Sequence, residues 1–427
     1  MNALVIFGLL AVLMLTGMPI SISLGLTVLS FLFMMTQVPL ESVALKLFTG
    51  IEKFEIMAIP FFILAGNFLT HGGVAKRMIN FATSMVGHWY GGLGLAGVLA
   101  CALFAAVSGS SPATVVAIGS ILLPAMVKAG FPNKFGAGVI ATSGALGILI
   151  PPSIVMVMYS VATNTSVGAL FMAGVLPGLA LAATLGGVTW YRARKFNYPR
   201  QPKATWGERW QAFRKSVWGL LLIVVVMGGI YSGIFTPTEA AAMSAVYAFV
   251  VAVFVYKDLK FKDVPKTLLA SANMSAMLLY IITNAILFSF LLTHENIPQA
   301  ISEWLLSNGL GTIGFLLAVN ILLLVMGNFM EPSSIILITA PILFPIAMTL
   351  GIDPIHFGVL ITVNMEIGMI TPPVGLNLYV ASGISKLGLS EMTVAVWPWL
   401  LTMLVFLVIV TYWPPLSIWL PRALGMM

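Results

Sequence analysis

Charge is what this chain has least of. Of its 427 residues only 8% are Asp, Glu, Lys or Arg, against 60% hydrophobic, and the mean hydropathy is +1.05. So few polar groups cannot cover a soluble globular surface, which leaves a polytopic membrane protein as the class. Cysteine is almost absent: Cys101 stands alone, so neither an internal disulfide nor a cysteine-held metal cluster can form. The four histidines, His71, His88, His294 and His356, share no ligand spacing. No His/Cys/Asp cluster suited to catalysis is visible, which argues against an enzyme. The first apolar stretch has no basic n-region and no A-x-A-like site, so it reads as a mature membrane segment. In a soluble protein the net charge of +7 would suggest nucleic acid. Here it reports topology, because basic residues collect on the cytoplasmic face, and the expected surroundings are a lipid bilayer with no nucleic acid.

Apolar runs give candidate segments at 2–16, 18–36, 54–70, 93–127, 133–163 and 169–190, then at 217–235, 238–256, 268–293, 314–350, 355–383 and 393–413. The 93–127 and 314–350 runs are too long for one crossing, and each is split by a serine-proline cluster. With arms of about fifteen residues, roughly 22 Å, they fall short of a ~30 Å hydrocarbon core and are expected to be re-entrant hairpins. The interruptions recur. A constant shift of 221 residues pairs Pro124 with Pro345, Gly147 with Gly368, Pro151 with Pro372, Pro152 with Pro373 and Pro177 with Pro398. Broken apolar segments at corresponding places in two halves point to the binding site of a secondary transporter.

The expected organisation is therefore all-α, with two inverted-topology repeats. Residues 1–190 form the first, with hairpin 93–127 and a Pro-Pro-broken helix at 133–163. Residues 217–427 form the second, with hairpin 314–350 and a broken helix at 355–383, and 191–216 is the linker. Five crossings per half would turn the second repeat upside down. Charge supports this. Placing the linker in the cytoplasm puts its eight basic residues inside, together with Lys76, Arg77, Lys128, Lys134, Lys257, Lys260, Lys262, Lys266 and Lys386. Only Lys46, Lys53 and Arg422 then lie outside, and both termini are expected in the periplasm. The more polar stretches 37–53 and 257–267 read as interfacial helices or as ordinary loops.

The breaks carry the candidate chemistry. Proline cannot donate to the carbonyl four residues back, so Pro151 and Pro152 should free the carbonyls of Gly147 and Ile148, and Pro372 and Pro373 those of Gly368 and Met369. Such carbonyls at mid-membrane suit a small hard cation; the plainer alternative is two kinked helices. The hairpin tips hold Ser108, Ser110, Ser111, Pro112 and Thr114, and Glu331, Pro332, Ser333 and Ser334. Their serines can cap a helix, draw an anion to its N-terminus, or ligate sodium. Glu331 and Glu366 are carboxylates inside the membrane, with a cation, a proton or hydrogen bonding as alternative roles. Asn364 and Asn377 flank the second break, and Asn67, Asn164, Glu239 and Asn328 are further candidates of the same kind. Neither broken region contains Lys or Arg, so an anionic substrate would need helix N-termini, hydroxyls and a co-bound cation. The 25 methionines read as packing residues.

The runs Ser108-Gly109-Ser110-Ser111-Pro112-Ala113-Thr114, Leu149-Ile150-Pro151-Pro152-Ser153 and Asn364-Met365-Glu366-Ile367-Gly368 through Asn377 resemble the large membrane subunit of TRAP (tripartite ATP-independent periplasmic) transporters. The segment Val374 to Gly383 is most similar to the C4-dicarboxylate branch. The resemblance implies a sodium-coupled importer of organic acids in the bacterial inner membrane, working as an elevator. It also implies a small four-helix membrane subunit and a periplasmic substrate-binding protein as partners. By position it implies sodium sites at Ser108, Ser110, Ser111, Gly144 and Gly147, and at Glu331, Ser333, Asn364, Gly368 and Thr371, with Ile148 and Met369 adding carbonyls. Substrate contacts are expected from Ser110, Ser111, Thr114, Ser153, Ser333, Ser334 and Asn377, and no organic cofactor is expected. Import of succinate, fumarate or malate is the leading expectation. The alternatives are another carboxylate, such as a sialic acid or a 2-oxo acid, and a stand-alone cation-coupled carrier.

Overall fold

A computed structural model of the chain describes residues 2–36, 38–71, 73–307 and 311–427. Among the described residues there are twenty α-helices and no strand. The first half contains α1 (Asn2–Leu15), α2 (Ile20–Met35), α3 (Leu40–Ile51), α4 (Ala58–His71), α5 (Val74–Val86), α6 (Gly92–Ser108), α7 (Ser111–Lys128), α8 (Asn133–Gly144), α9 (Ile154–Thr163) and α10 (Val167–Lys195). The second contains α11 (Trp206–Tyr231), α12 (Pro237–Val250), α13 (Val264–His294), α14 (Ile297–Ser307), α15 (Thr312–Gly327), α16 (Pro332–Thr349), α17 (Pro354–Gly368), α18 (Leu376–Ser385), α19 (Leu389–Tyr412) and α20 (Pro415–Ala423). Proline and glycine set many of these limits. Pro112, Pro237, Pro265, Pro332 and Pro354 stand in the first turn of their helices, where a missing N–H costs nothing. Gly91 and Gly109 take left-handed backbone at the two ends of α6.

Among the described residues seven helices are long and apolar enough to cross a membrane, α7 and α16 among them at 18 residues each. That corrects the arm-length argument: 18 residues rise about 27 Å, close to a full hydrocarbon core. α6 lies against α7 and α15 against α16, each pair packed as a helical hairpin.

Several boundaries differ from the sequence expectation. α5 and α14 lie outside every apolar run. They are amphipathic: Val74, Ala75, Met78, Ile79 and Ala82 of α5 are buried while Lys76 and Arg77 interrupt the hydropathy. α20 was not expected either. The 37–53 stretch contains helix α3, but 257–267 holds no separate helix. There a 3-10 turn, Phe261–Asp263, runs straight into the 31-residue α13, because nothing after Pro265 breaks it. The expected linker 191–216 narrows to residues 196–205. α10 continues to Lys195, and a capping box between Thr205 and Glu208 starts α11 at Trp206.

Two groups of helices emerge from the contacts. In one, α2 and α3 pack on α13, α4 on α12 and α13, and α11 on α12, while α5 bridges to the other by packing on both α11 and α6. In the other, α6, α7 and α8 pack together, α15 and α16 pack on α17, and α10 and α19 close around them. The second group is interleaved reciprocally. α9 packs on α16 while α18 packs on α7, and α10 packs on α17 while α19 packs on α8. The starts of α7 and α16, and of α8 and α17, are each 221 residues apart. Trp399 of α19 ties the interleaving together. It is fully buried, it lies 5.6 Å from the Phe135 ring, and its indole N–H donates to Thr189 Oγ1 at 2.9 Å.

Candidate functional site

The first break is built around Gly109 and Gly147. Gly109 turns the chain at φ +60°, and a Cβ there would sit 2.9 Å from the Pro152 carbonyl oxygen. A Cβ on Gly147 would meet Ser110 O at 2.6 Å. The tip between α6 and α7 therefore rests directly on the broken helix α8–α9. Ser108 Oγ lies 3.0 Å from Thr114 Oγ1, and Thr114 donates to Ser110 O at 2.8 Å. Ser111 donates to Gly144 O at 3.0 Å and accepts from Asn377 Nδ2 at 2.6 Å, so a residue of the second half buttresses the first tip. Ser110 holds the N-cap position of α7, but its side chain makes no capping bond. Ser153 does cap, accepting from Met156 N at 3.3 Å.

The second break uses different residues for similar ends. Glu331, not a serine, is the N-cap of α16. Its carboxylate accepts from Ser333 Oγ at 2.5 Å and from Ser334 N and Oγ at 3.3 and 3.4 Å. Gly368 lies against Gly327 so closely that a Cβ would come within 2.7 Å of the Gly327 Cα. Asn364 donates to Asn320 Oδ1 at 2.8 Å, and Asn320 donates to Thr411 Oγ1 at 2.9 Å. Thr371 donates to Ile367 O at 2.6 Å. The Pro151-Pro152 and Pro372-Pro373 peptide bonds are both cis.

Three of the four carbonyls that the prolines were expected to free, those of Ile148, Gly368 and Met369, are not bare. Ile148 O accepts from Ser153 Oγ at 2.6 Å, Gly368 O from Thr371 N at 3.2 Å, and Met369 O from Asn377 N at 2.9 Å. Residues downstream of each break fold back to replace the lost helical donors, and each carbonyl keeps a second lone pair.

Both tips open onto one cavity of 460 Å³, walled on the other side by α4 and α13. Of the expected substrate contacts, Ser110, Ser111 and Ser333 line it; Thr114, Ser153, Ser334 and Asn377 are buried behind that wall. Of the expected cation ligands, Glu331, Ile148 and Met369 also reach the lining, while Ser108, Gly144, Gly147, Asn364, Gly368 and Thr371 stand outside it. Asn67, a weaker candidate, lines the cavity and donates to Ser271 Oγ at 2.8 Å. Glu239 does not belong to the site: it caps α12 through Thr236. Sequence reasoning missed Thr70 in the lining and Asn320 behind it. The signal for Asn320 was present, a lone amide inside the apolar run of α15.

The buried atoms without a hydrogen-bond partner are informative. Around the second break, among the described residues, they are oxygens: Asn328 Oδ1, Asn364 Oδ1, Asn377 Oδ1 and both carboxyl oxygens of Glu366. Leaving such groups unsatisfied in a dry interior costs about 1–3 kcal/mol each. An oxygen-rich setting of this kind fits a hard monovalent cation. No group of three or more His, Cys, Asp or Glu suited to a transition metal occurs among the described residues.

Helical spans interrupted in pairs around one mid-molecule cavity define a secondary membrane transporter. Over residues 7–416 the chain matches the family described as "Tripartite ATP-independent periplasmic transporter, DctM component", and it belongs to that family, whose members are permeases and not enzymes. It is 74% identical to the C4-dicarboxylate TRAP transporter large permease protein DctM of Rhodobacter capsulatus, with 100% of both chains covered. It is 55% identical to the protein of that name from Pseudomonas aeruginosa over 95% of each chain. Among solved structures it resembles the YdaH transporter of Alcanivorax borkumensis with a TM-score of 0.63, covering 88% of this chain and 90% of that one. The sequence identity there is 16%, so that likeness concerns the fold alone.

Proposed function

We propose that this chain is the large membrane subunit of a sodium-coupled TRAP importer of C4-dicarboxylates such as succinate, fumarate or malate. The carrying observation is the cavity lining. It offers hydroxyls, an amide and the start of two helices, but no Lys or Arg. A dianion entering it meets Glu331 as the one charged side chain, so its charge must be offset by helix N-termini and co-bound cations. The 74% identity to a C4-dicarboxylate permease supports the choice of substrate class.

The unpartnered acceptors at the second break fit sodium. The residues that would hold it are Glu331, Ser333, Asn364, Gly368 and Thr371, with Met369 contributing its carbonyl; of these, Asn364 carries an unpartnered oxygen. Ser108, Ser110, Ser111, Gly144, Gly147 and Ile148 would hold a second ion at the first break. Bound sodium supplies positive charge beside the substrate carboxylates. The chain's own residues do the rest: Ser110, Ser111 and Ser333 face the substrate, Asn377 holds the first tip through Ser111, and Ser153 closes the first break on Ile148 O.

In this reading α1–α4 and α11–α13 form a fixed scaffold, and the interleaved helices around both breaks carry the site across as an elevator. The repeats are related by inversion in the inner membrane, with residues 196–205 cytoplasmic and the termini periplasmic. A small membrane subunit braces the scaffold, and a periplasmic binding protein delivers substrate. The test is uptake of labelled succinate into proteoliposomes holding this chain and its small partner, with the binding protein outside. Uptake that requires both the binding protein and an inward sodium gradient is expected. Uptake without the binding protein would replace this reading by a stand-alone carrier, and uptake driven by protons alone would remove sodium coupling.

A further inference from the structure

Apolar side chains meet where the two helix groups pack. Phe62 of α4 stands edge-on to Phe171 of α10, with ring centroids 6.1 Å apart. Met274, Met277 and Leu278 of α13 face Met369 and Leu376 across the cavity. Lys53 breaks that pattern. It follows α3, is half-buried, and reaches across to the other group. Its Nζ donates to the Val161 carbonyl and to Asn164 Oδ1, each at 2.6 Å.

Both acceptors belong to the end of α9, the helix that follows the first break. Val161 is in its last turn, where carbonyls lack helical partners, and Asn164 is its left-handed C-cap at φ 55°. An ammonium placed there also meets the negative end of the helix dipole. Lys53 forms no ion pair with a carboxylate within 4 Å among the described residues, so its direct hydrogen bonds are to neutral acceptors, with the Glu55 carboxylate acting on it from further away. The junction also lines a 200 Å³ cavity with Ser289 of α13 and Leu337 of α16. It sits at the N-terminal end of the 29-residue α10, about 43 Å from the 196–205 connector at the other end.

We propose that Lys53 is a latch that holds the site-carrying group in the register seen here and must let go before that group can move. Apolar side chains slide past one another with little directional preference, whereas two charge-assisted hydrogen bonds fit one register. Lys53 is thus a positioning residue for transport, acting through α9 on the first break. The inference rests on the two-group elevator reading.

The experiment measures the distance between spin labels at Leu45 of α3 and Lys128 of α7, both exposed, in the otherwise complete transporter. The single native cysteine is buried, which leaves the two introduced cysteines as the labelled sites. Lys53→Met is expected to lower the population of the present distance relative to its alternative by about tenfold, with Lys53→Arg retaining it. Asn164→Gly, which keeps the left-handed cap but removes the amide acceptor, is expected to shift the same ratio in the same direction by less. Unchanged distributions in Lys53→Met and Asn164→Gly, with sodium still moving the wild-type distribution, would overturn the latch and leave the elevator standing. One distance that neither sodium, succinate nor any substitution moves would overturn the elevator reading and the latch with it.

Discussion

At the scale of single residues, the site depends on close approach more than on charge. Gly368→Ala would press a methyl onto the Gly327 backbone at 2.7 Å. Backbone cannot yield as a flexible side chain does, so a loss of about 1–3 kcal/mol in stability is expected, together with loss of most uptake. Thermal unfolding in detergent and proteoliposome uptake check the two halves of that statement. Ser111→Ala is a subtler change. It removes the hydroxyl between Asn377 and Gly144, leaving the Asn377 amide donating only to Ala141 O at 3.4 Å. Uptake titrated against sodium is expected to show half-saturation rising about tenfold, with the assembled protein still eluting as a single species. Much of this was legible in the sequence because Gly-Ser-Ser-Pro and Pro-Pro are local signals. What was not legible was which donors fold back onto the broken carbonyls. That Asn377 N meets Met369 O, and Ser153 Oγ meets Ile148 O, depends on how the chain leaves the break.

At the scale of elements, hydropathy found the long spans and failed at amphipathic ones. α5 and α14 hide apolar faces under polar ones, and a window average dilutes both. The 37–53 stretch, read as an interfacial helix or a loop, forms helix α3, yet its counterpart merges into α13, since the two halves differ in where the chain is interrupted. The linker shrank for a related reason: a basic composition looks like a loop, while the Thr205–Glu208 capping box specifies a helix start. That box gives an element-scale prediction. Thr205→Ala removes both the hydroxyl that caps Glu208 N and its bond to the Glu208 carboxylate. A loss of about 1 kcal/mol is expected, confined to fraying of the first turn of α11 and visible as faster amide exchange at residues 206–209.

For the whole molecule, the reciprocal packing decides what can fold alone. α9 is covered by α16 and α18 covers α7, so each half leaves large apolar faces bare without the other. Residues 1–200 or 201–427 expressed singly are expected to be degraded or aggregated. Co-expressed, they are expected to assemble and to restore a measurable fraction of uptake, because the cut falls in the one long non-helical connection between the halves. Recovery of a stable, monodisperse single half would contradict this. The sequence carried the 221-residue spacing that recurs in the starts of α7 and α16 and of α8 and α17, but not that helices of the two halves would pack reciprocally. That is a long-range property which no local pattern records.

The connector between α10 and α11 has a further consequence. Arg200 donates to the Tyr90 hydroxyl at 2.9 Å and lies 3.7 Å over its ring, and Gln201 N donates to Gly87 O at 3.0 Å. Only residues 202–205 remain slack before Trp206 begins α11. From Gln201 to Trp206 is five residue steps, which fully stretched reach about 17 Å. While those anchors hold, the chain is on a short leash, and the stroke available between the 87–91 turn and the head of α11 is bounded by covalent length before any energy barrier is considered.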